Sequence, residues 1–233
     1  MSIATYAESR GRLKTYFDAT AVEAWAQLTS DAPVSRIRQT VRQGRDLMRG
    51  LIMSWLPLDM SKAALLDAGC GTGALAVATA RRGASVVAVD IAANLIKLAR
   101  ERAPAELVPD AIRFVAGDML DPDLGIFAHV VAMDSLIHYP TREIIAFLAG
   151  VAPRTSRSII FTFAPQTPAL SLMHAAGRLF PRADRAPAIE PVMETRLRAA
   201  IEAEPKLAEW RVGRTARIAS GFYTSQAMEL VRR

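Results

Sequence analysis

The chain has 233 residues, of which 51% are hydrophobic and 22% charged, and its net charge is +6. This composition excludes a disordered or fibrous chain and suits one compact domain with a small cap at most. The lone cysteine, Cys70, excludes an internal disulfide and fits a reducing compartment.

The opening residues, MSIATYAESRGRLK, lack the apolar stretch of a signal peptide, and no apolar run is long enough to span a bilayer. A cytoplasmic protein is expected, resting at most on the face of an inner or photosynthetic membrane. The basic balance suits an anionic partner (nucleic acid, acidic lipid or a carboxylate-bearing substrate) without choosing among them.

In chain order, residues 5–56 read as helices. Within 33–55, Ile37, Val41, Met48 and Ile52 recur at helical spacing, while Arg38, Arg42, Arg45 and Arg49 share another face. That basic face reads as a solvated surface or as a rim for substrate carboxylates or lipid. Strands are expected over 63–68, 85–90, 112–116, 127–133 and 158–163, with helices over 74–82, 92–102 and 142–151 between them. This order implies an α/β fold, a parallel sheet covered by helices on both faces. Residues 164–192 then gather Pro165, Pro168, Pro181, Pro187 and Pro191 around an apolar segment at 170–180, and read as an inserted cap. A helix over 195–203 and two strands over 210–219 and 222–231, parted by Ser220 and Gly221, close the chain as an antiparallel hairpin. The expected organisation is a helical arm (1–61), a cofactor-binding core (62–163), a cap contributing to the substrate site (164–208) and closing strands (209–233).

The first strand runs into Asp67-Ala-Gly69-Cys-Gly71-Thr-Gly73. Such a loop turns tightly, lets the backbone approach a ligand and aims the N–H groups of the next helix at it. Gly69-x-Gly71-x-x-Ala74 alone would also satisfy a dinucleotide fingerprint. Charge separates the two cofactors. A pyrophosphate is repelled by an acid at Asp67, whereas a sulfonium and an ammonium are attracted by it. Asp90 ends the second strand, 23 residues on (90 − 67), where a carboxylate can accept both hydrogen bonds of a ribose diol. Asp118 follows the third strand and can accept from an adenine amino group while Met119 packs on the ring. Three acids after three successive strand ends fit the carboxyl-edge rule for open α/β sheets.

These residues resemble the class I methyltransferases, whose DxGxGxG loop, ribose acid and adenine acid match Asp67–Gly73, Asp90 and Asp118. The resemblance covers roughly 62–163 and 209–233. It implies a three-layer, Rossmann-like fold with a seven-stranded mixed sheet whose last strand is antiparallel. It implies S-adenosylmethionine as methyl donor, S-adenosylhomocysteine as product, and a cofactor set that adds Ile91 and Met133. It places the stretch after the fourth strand, Met133-Asp134-Ser-Leu-Ile137-His138-Tyr139-Pro140, under the transferable methyl. His138 and Tyr139 are therefore the expected catalytic residues, whereas His129 and His174 read as structural histidines. No metal site is expected in the protein itself. An RNA substrate is disfavoured, because Met133-Asp-Ser-Leu is not the Asn/Asp-Pro-Pro-Tyr type of motif.

A closer resemblance spans nearly the whole chain. Tyr16-Phe17-Asp18-Ala-Thr20 with Trp25, the 133–140 stretch, Phe163-Ala-Pro165-Gln-Thr167, Leu179-Phe180-Pro181 and Gly221-Phe222-Tyr223 are similar to the magnesium-protoporphyrin IX methyltransferases of chlorophyll and bacteriochlorophyll biosynthesis. The implied reaction esterifies a propionate of magnesium protoporphyrin IX. The implied porphyrin contacts are Tyr16, Phe17, Trp25, His138, Phe180 and Tyr223, and the implied partner is the porphyrin-binding subunit of magnesium chelatase. One departure is visible: relatives from oxygenic phototrophs tend to carry a tyrosine shortly before the position of Asp31, where this chain has Leu28-Thr29-Ser30.

Overall fold

A computed structural model describes Gly11, residues 36–166 and residues 189–233. Its elements are α1 (Arg36–Trp55), β1 (Ala64–Ala68), α2 (Ala74–Ala80), β2 (Ser85–Asp90), α3 (Ala93–Arg102), β3 (Ile112–Ala116), β4 (Phe127–Ala132), α4 (Thr141–Val151), β5 (Thr155–Phe163), α5 (Glu194–Ala203), β6 (Trp210–Ser220) and β7 (Tyr223–Arg232). The strands form one seven-stranded sheet in the order β3-β2-β1-β4-β5-β7-β6. β1 to β5 pair in parallel, while β7 runs antiparallel to both β5 and β6. The expected α/β sandwich and closing hairpin are both present.

The central strands are apolar on both faces because helices cover both. On one side Leu66, Val130, Ile159 and Phe161 pack with Ile144 and Phe147 of α4 and with Leu197 and Ile201 of α5. On the other, Leu65, Val86, Val131 and Ile160 pack with Met48 and Ile52 of α1 and Leu75 and Ala76 of α2. α5 and the turn Pro205–Leu207 thus belong to the core layer, since Leu197, Ile201 and Leu207 are all buried.

β1 to β5 end together. Asp67 aligns with Ala88, Asp90 with Ala116, and Ala132 with Phe161. α1 docks on the β6–β7 hairpin through two glycines that remove side chains at close contacts. A Cβ on Gly44 would lie 2.4 Å from Tyr223 Cδ1, and one on Gly221, at φ 56°, would lie 2.7 Å from Thr40 Cβ. Further along, Arg214 donates to the Trp55 carbonyl at 2.8 Å and stacks 5.2 Å from its ring centroid. Of the expected apolar stripe on α1, Met48 and Ile52 are fully buried and Ile37 is exposed. Among the described residues, no helix is long and apolar enough to cross a membrane.

Candidate active site

The loop between β1 and α2 is a nest of left-handed glycines. Gly69, Gly71 and Gly73 have φ of 80°, 55° and 81°. A Cβ at Gly69 would sit 2.3 Å from Ser135 Cβ, so this glycine lets the loop press against the turn after β4. A Cβ at Gly71 would meet nothing within 4 Å, which marks the open side of the loop. The loop is braced by its neighbour strand, with the N–H groups of Gly69 and Cys70 donating to the Val89 carbonyl at 2.8 and 3.0 Å.

The three acids stand where the sequence places them. Asp90 accepts from Gly71 N–H through Oδ2 at 2.8 Å and from Ala92 N–H through Oδ1 at 2.9 Å. Each carboxylate oxygen has a second lone pair, so bracing the loop is compatible with receiving a diol. Gly117 N–H donates to the Asp90 carbonyl at 2.9 Å, which draws the Asp118 loop alongside. Asp118 accepts from Leu120 N–H at 3.0 Å, and Arg154 donates to the Met119 carbonyl at 2.7 Å. Ile91, Asp118 and Met119 are half-buried, and Met133 is buried beneath the edge.

Asp67 differs. It is 1% exposed, and its Oδ2 has no hydrogen-bond partner among the described residues. Burial, with the charge of Asp90 adding to it, pushes its pKa up to about 7. A buried acid with one carboxylate oxygen unpartnered among the described residues fits a cationic ligand group and opposes a phosphate. The residues present therefore fit the ammonium, ribose and adenine of S-adenosylmethionine.

On the other side of the edge, β4 leads into a short 3-10 turn, Leu136–His138. His138 is half-buried there. Tyr139, expected beside it in catalysis, is 6% exposed and packs within the core cluster of Leu66, Ile144 and Phe147. The ends of the insertion meet at the same place: Gln166 N–H donates to the Val192 carbonyl, Val192 N–H to the Ala164 carbonyl, and Glu190 N–H to the Ile137 carbonyl at 2.9, 2.8 and 2.9 Å. The described ends of the insertion therefore stand beside Ile137 and His138. Tyr16, Phe17, Trp25, His174 and Phe180 lie outside the described residues.

Tyr223 is at this edge but faces inward. It is 8% exposed, and its hydroxyl donates to Asp134 Oδ1 at 2.9 Å. Its neighbour Phe222 is 59% exposed, so the aromatic face offered to the outside belongs to Phe222. His129 has the expected structural setting, with Nδ1 2.8 Å from Ser158 Oγ, although its Nε2 has no partner among the described residues. Arg45, grouped in the sequence with a basic outer face, turns to the buried Asp134, and Arg49 pairs with Asp46 at 2.8 Å.

Sheet order, glycine nest and carboxyl-edge acids together define a class I methyltransferase fold. A family model described as a methyltransferase domain matches residues 65–155, and one described as the C-terminus of magnesium-protoporphyrin IX methyltransferase matches 132–232. Magnesium-protoporphyrin O-methyltransferase of Rhodobacter capsulatus is 46% identical over 225 residues, covering 96% of this chain and 97% of its own. The chloroplastic magnesium protoporphyrin IX methyltransferase of Arabidopsis thaliana is 30% identical over 94% of this chain and 70% of its own. The crystal structure of the Synechocystis PCC 6803 magnesium protoporphyrin IX methyltransferase with bound S-adenosylhomocysteine superposes with a TM-score of 0.83 at 27% identity, covering 96% of this chain and all of that one. The chain belongs to the magnesium-protoporphyrin O-methyltransferase family.

Proposed function

We propose that this protein transfers the methyl group of S-adenosylmethionine to a propionate carboxylate of magnesium protoporphyrin IX, giving the monomethyl ester and S-adenosylhomocysteine. The observation that carries this reading is the extent of the likeness. The 46% identity is measured over 96% of the chain, a span much longer than the cofactor core alone. Asp67, Gly69, Gly71, Gly73, Asp90, Ile91, Asp118, Met119 and Met133 are the cofactor set.

A carboxylic acid of ordinary pKa, about 4, is already ionised at neutral pH, so no strong base is required. The propionate oxygen attacks the methyl carbon in line. The C–O bond forms, the C–S bond breaks, and its electron pair neutralises the sulfonium. The protein's task is alignment and removal of water. His138 donates a hydrogen bond to the attacking propionate and fixes its direction, and buried Tyr139 supports the turn from below. The arm, the insertion ahead of α5 and Phe222 supply apolar walls for the macrocycle. Of the α1 arginines that read as a basic face, Arg38, Arg42, Arg45 and Arg49, it is Arg38, which is exposed, and Arg42 that lie nearest the supply of substrate: the porphyrin-binding subunit of magnesium chelatase, met at a membrane surface.

The test is incubation with magnesium protoporphyrin IX and methyl-labelled S-adenosylmethionine, followed by chromatography of the pigment. Label in a porphyrin monoester is expected. Unlabelled pigment from a protein that still binds S-adenosylhomocysteine would overturn the choice of substrate.

A further inference from the structure

The turn after β4 holds a cluster that neither the cofactor acids nor His138 account for. Asp134 has φ 55°, a left-handed backbone, and its side chain is 3% exposed. Groups from three other elements converge on it. Its N–H donates to Thr162 Oγ1 of β5 at 2.7 Å. Its Oδ1 accepts from Tyr223 and Ser225 of β7 at 2.9 and 3.3 Å. Its Oδ2 faces Arg45 Nη1 of α1 at 3.3 Å, an ion-pair contact without hydrogen-bond alignment. Aspartate enters the left-handed region more readily than most residues, but such a conformation persists only where the surroundings over-determine it. Here they do.

The consequence lies downstream. Ser135 Oγ donates to the Ala68 carbonyl at 2.9 Å and fills the space that Gly69 leaves. The 3-10 turn ending in His138 begins at the next residue. The direction in which the chain leaves β4 at Asp134 therefore sets where His138 stands. Because Arg45 belongs to α1, the same contact ties that direction to the seating of the N-terminal helix.

We propose that Asp134 is a positioning residue for methyl transfer: it locks the turn after β4 and, through Arg45, makes the placement of His138 depend on a seated α1. It makes no bond to substrate. The inference rests on the reading of His138 as the group that orients the propionate.

Two variants divide the contributions of Asp134. Asp134→Gly accepts φ 55° without strain but removes every side-chain contact. Asp134→Asn keeps the tolerance and the Oδ1 acceptor but removes the charge facing Arg45. The expected single-turnover loss is about a hundredfold for Asp134→Gly and about tenfold for Asp134→Asn and for Arg45→Gln. The Asn/Gln double variant loses no more than either single, because one pair is broken once. Arg45→Lys recovers most of the rate. Affinity for S-adenosylhomocysteine stays within about threefold throughout, as a positioning role requires.

A second readout needs no porphyrin. The chain has three histidines, so the His138 imidazole resonance is assignable by its loss in His138→Gln. It should be single and sharp in the wild type, and shifted or broadened in Asp134→Asn and Arg45→Gln. An unmoved resonance, a rate within twofold of wild type, or rate losses that track lost cofactor affinity would each overturn the proposal. A wild type that fails to methylate the porphyrin, with the resonance still moving, would sink the substrate reading and leave the positioning role standing. Should Asp134→Gly fail to fold, the Asn and Gln variants carry both readouts.

Discussion

The two halves of the carboxyl edge are built in different ways. On the β1–β3 side, the glycine nest and Asp90 are joined within a short span, as when Gly71 N–H reaches Asp90 across 19 residues. On the β4–β5 side, Tyr223 reaches Asp134 across 89 residues. The cofactor half is assembled from neighbours, and the substrate half from α1, the turn after β4 and the hairpin. A general methyltransferase domain ends near residue 155, whereas the likeness to the porphyrin enzymes takes in the hairpin as well. On the proposed reading, a common cofactor platform is specialised by distant segments folded onto one edge.

Two glycines sharpen that comparison, one in each half. Gly69→Ala combines φ 80° with a Cβ placed 2.3 Å from Ser135, so both backbone and packing oppose it. We expect a stability loss of about 2–4 kcal/mol in thermal or urea unfolding, with S-adenosylhomocysteine binding abolished in calorimetry. Gly44→Ala pushes on the Tyr223 ring at 2.4 Å within a regular helix. About 1–3 kcal/mol is expected there, with cofactor affinity retained and turnover reduced. If Gly44→Ala destroys cofactor binding as fully, the halves are not separable.

Much of the cofactor half was legible in the sequence, because its signals are local. Asp67–Gly73, Asp90 and Asp118 sit at strand ends that hydrophobic runs announce. The parallel sheet followed from the same runs and the closing hairpin from the Ser220-Gly221 turn, whereas the strand order is set by tertiary pairing. The substrate half was harder to read. Asp134 stands in the 133–140 stretch, but nothing local says that Arg45, Thr162, Tyr223 and Ser225 converge on it. Arg45 looked solvated because it is spaced with Arg38, Arg42 and Arg49 on one helical face, and only tertiary contact turns it inward. Tyr223 is expected against the porphyrin, and its inward seat against Gly44 of α1 is set by tertiary packing that no local signal announces.

A smaller effect concerns pH. Asp67 has its pKa raised to about 7, from an ordinary value of 3.8. Between about pH 4 and 7 the unfolded chain has this acid ionised while the unliganded fold still holds its proton. The contribution of Asp67 to stability therefore falls as pH rises through that window and is constant above it. A bound ammonium favours the ionised form, so cofactor binding should release a proton below pH 7. Affinity for S-adenosylhomocysteine should then rise by up to about tenfold per pH unit from 5.5 to 7. Calorimetry in buffers of different ionisation enthalpy checks this, and Asp67→Asn should flatten the dependence. A flat wild-type profile would detach Asp67 from the cofactor.

The smallest effect is expected on the outer face of α1. Arg38→Glu with Arg42→Glu should leave affinity for S-adenosylhomocysteine unchanged, because both residues lie on α1, away from the glycine loop. Co-sedimentation with anionic vesicles and pull-down by the chelatase subunit should weaken and become insensitive to salt. Unchanged association would remove that surface from substrate delivery.

The separation of the two halves is tested most directly by measuring S-adenosylhomocysteine affinity and single-turnover methyl transfer side by side in Asp90→Ala and His138→Ala. Asp90→Ala should lose cofactor affinity, and His138→Ala should keep it while losing transfer. Equal losses of binding in the two variants would contradict the division of the edge into a cofactor half and a substrate half.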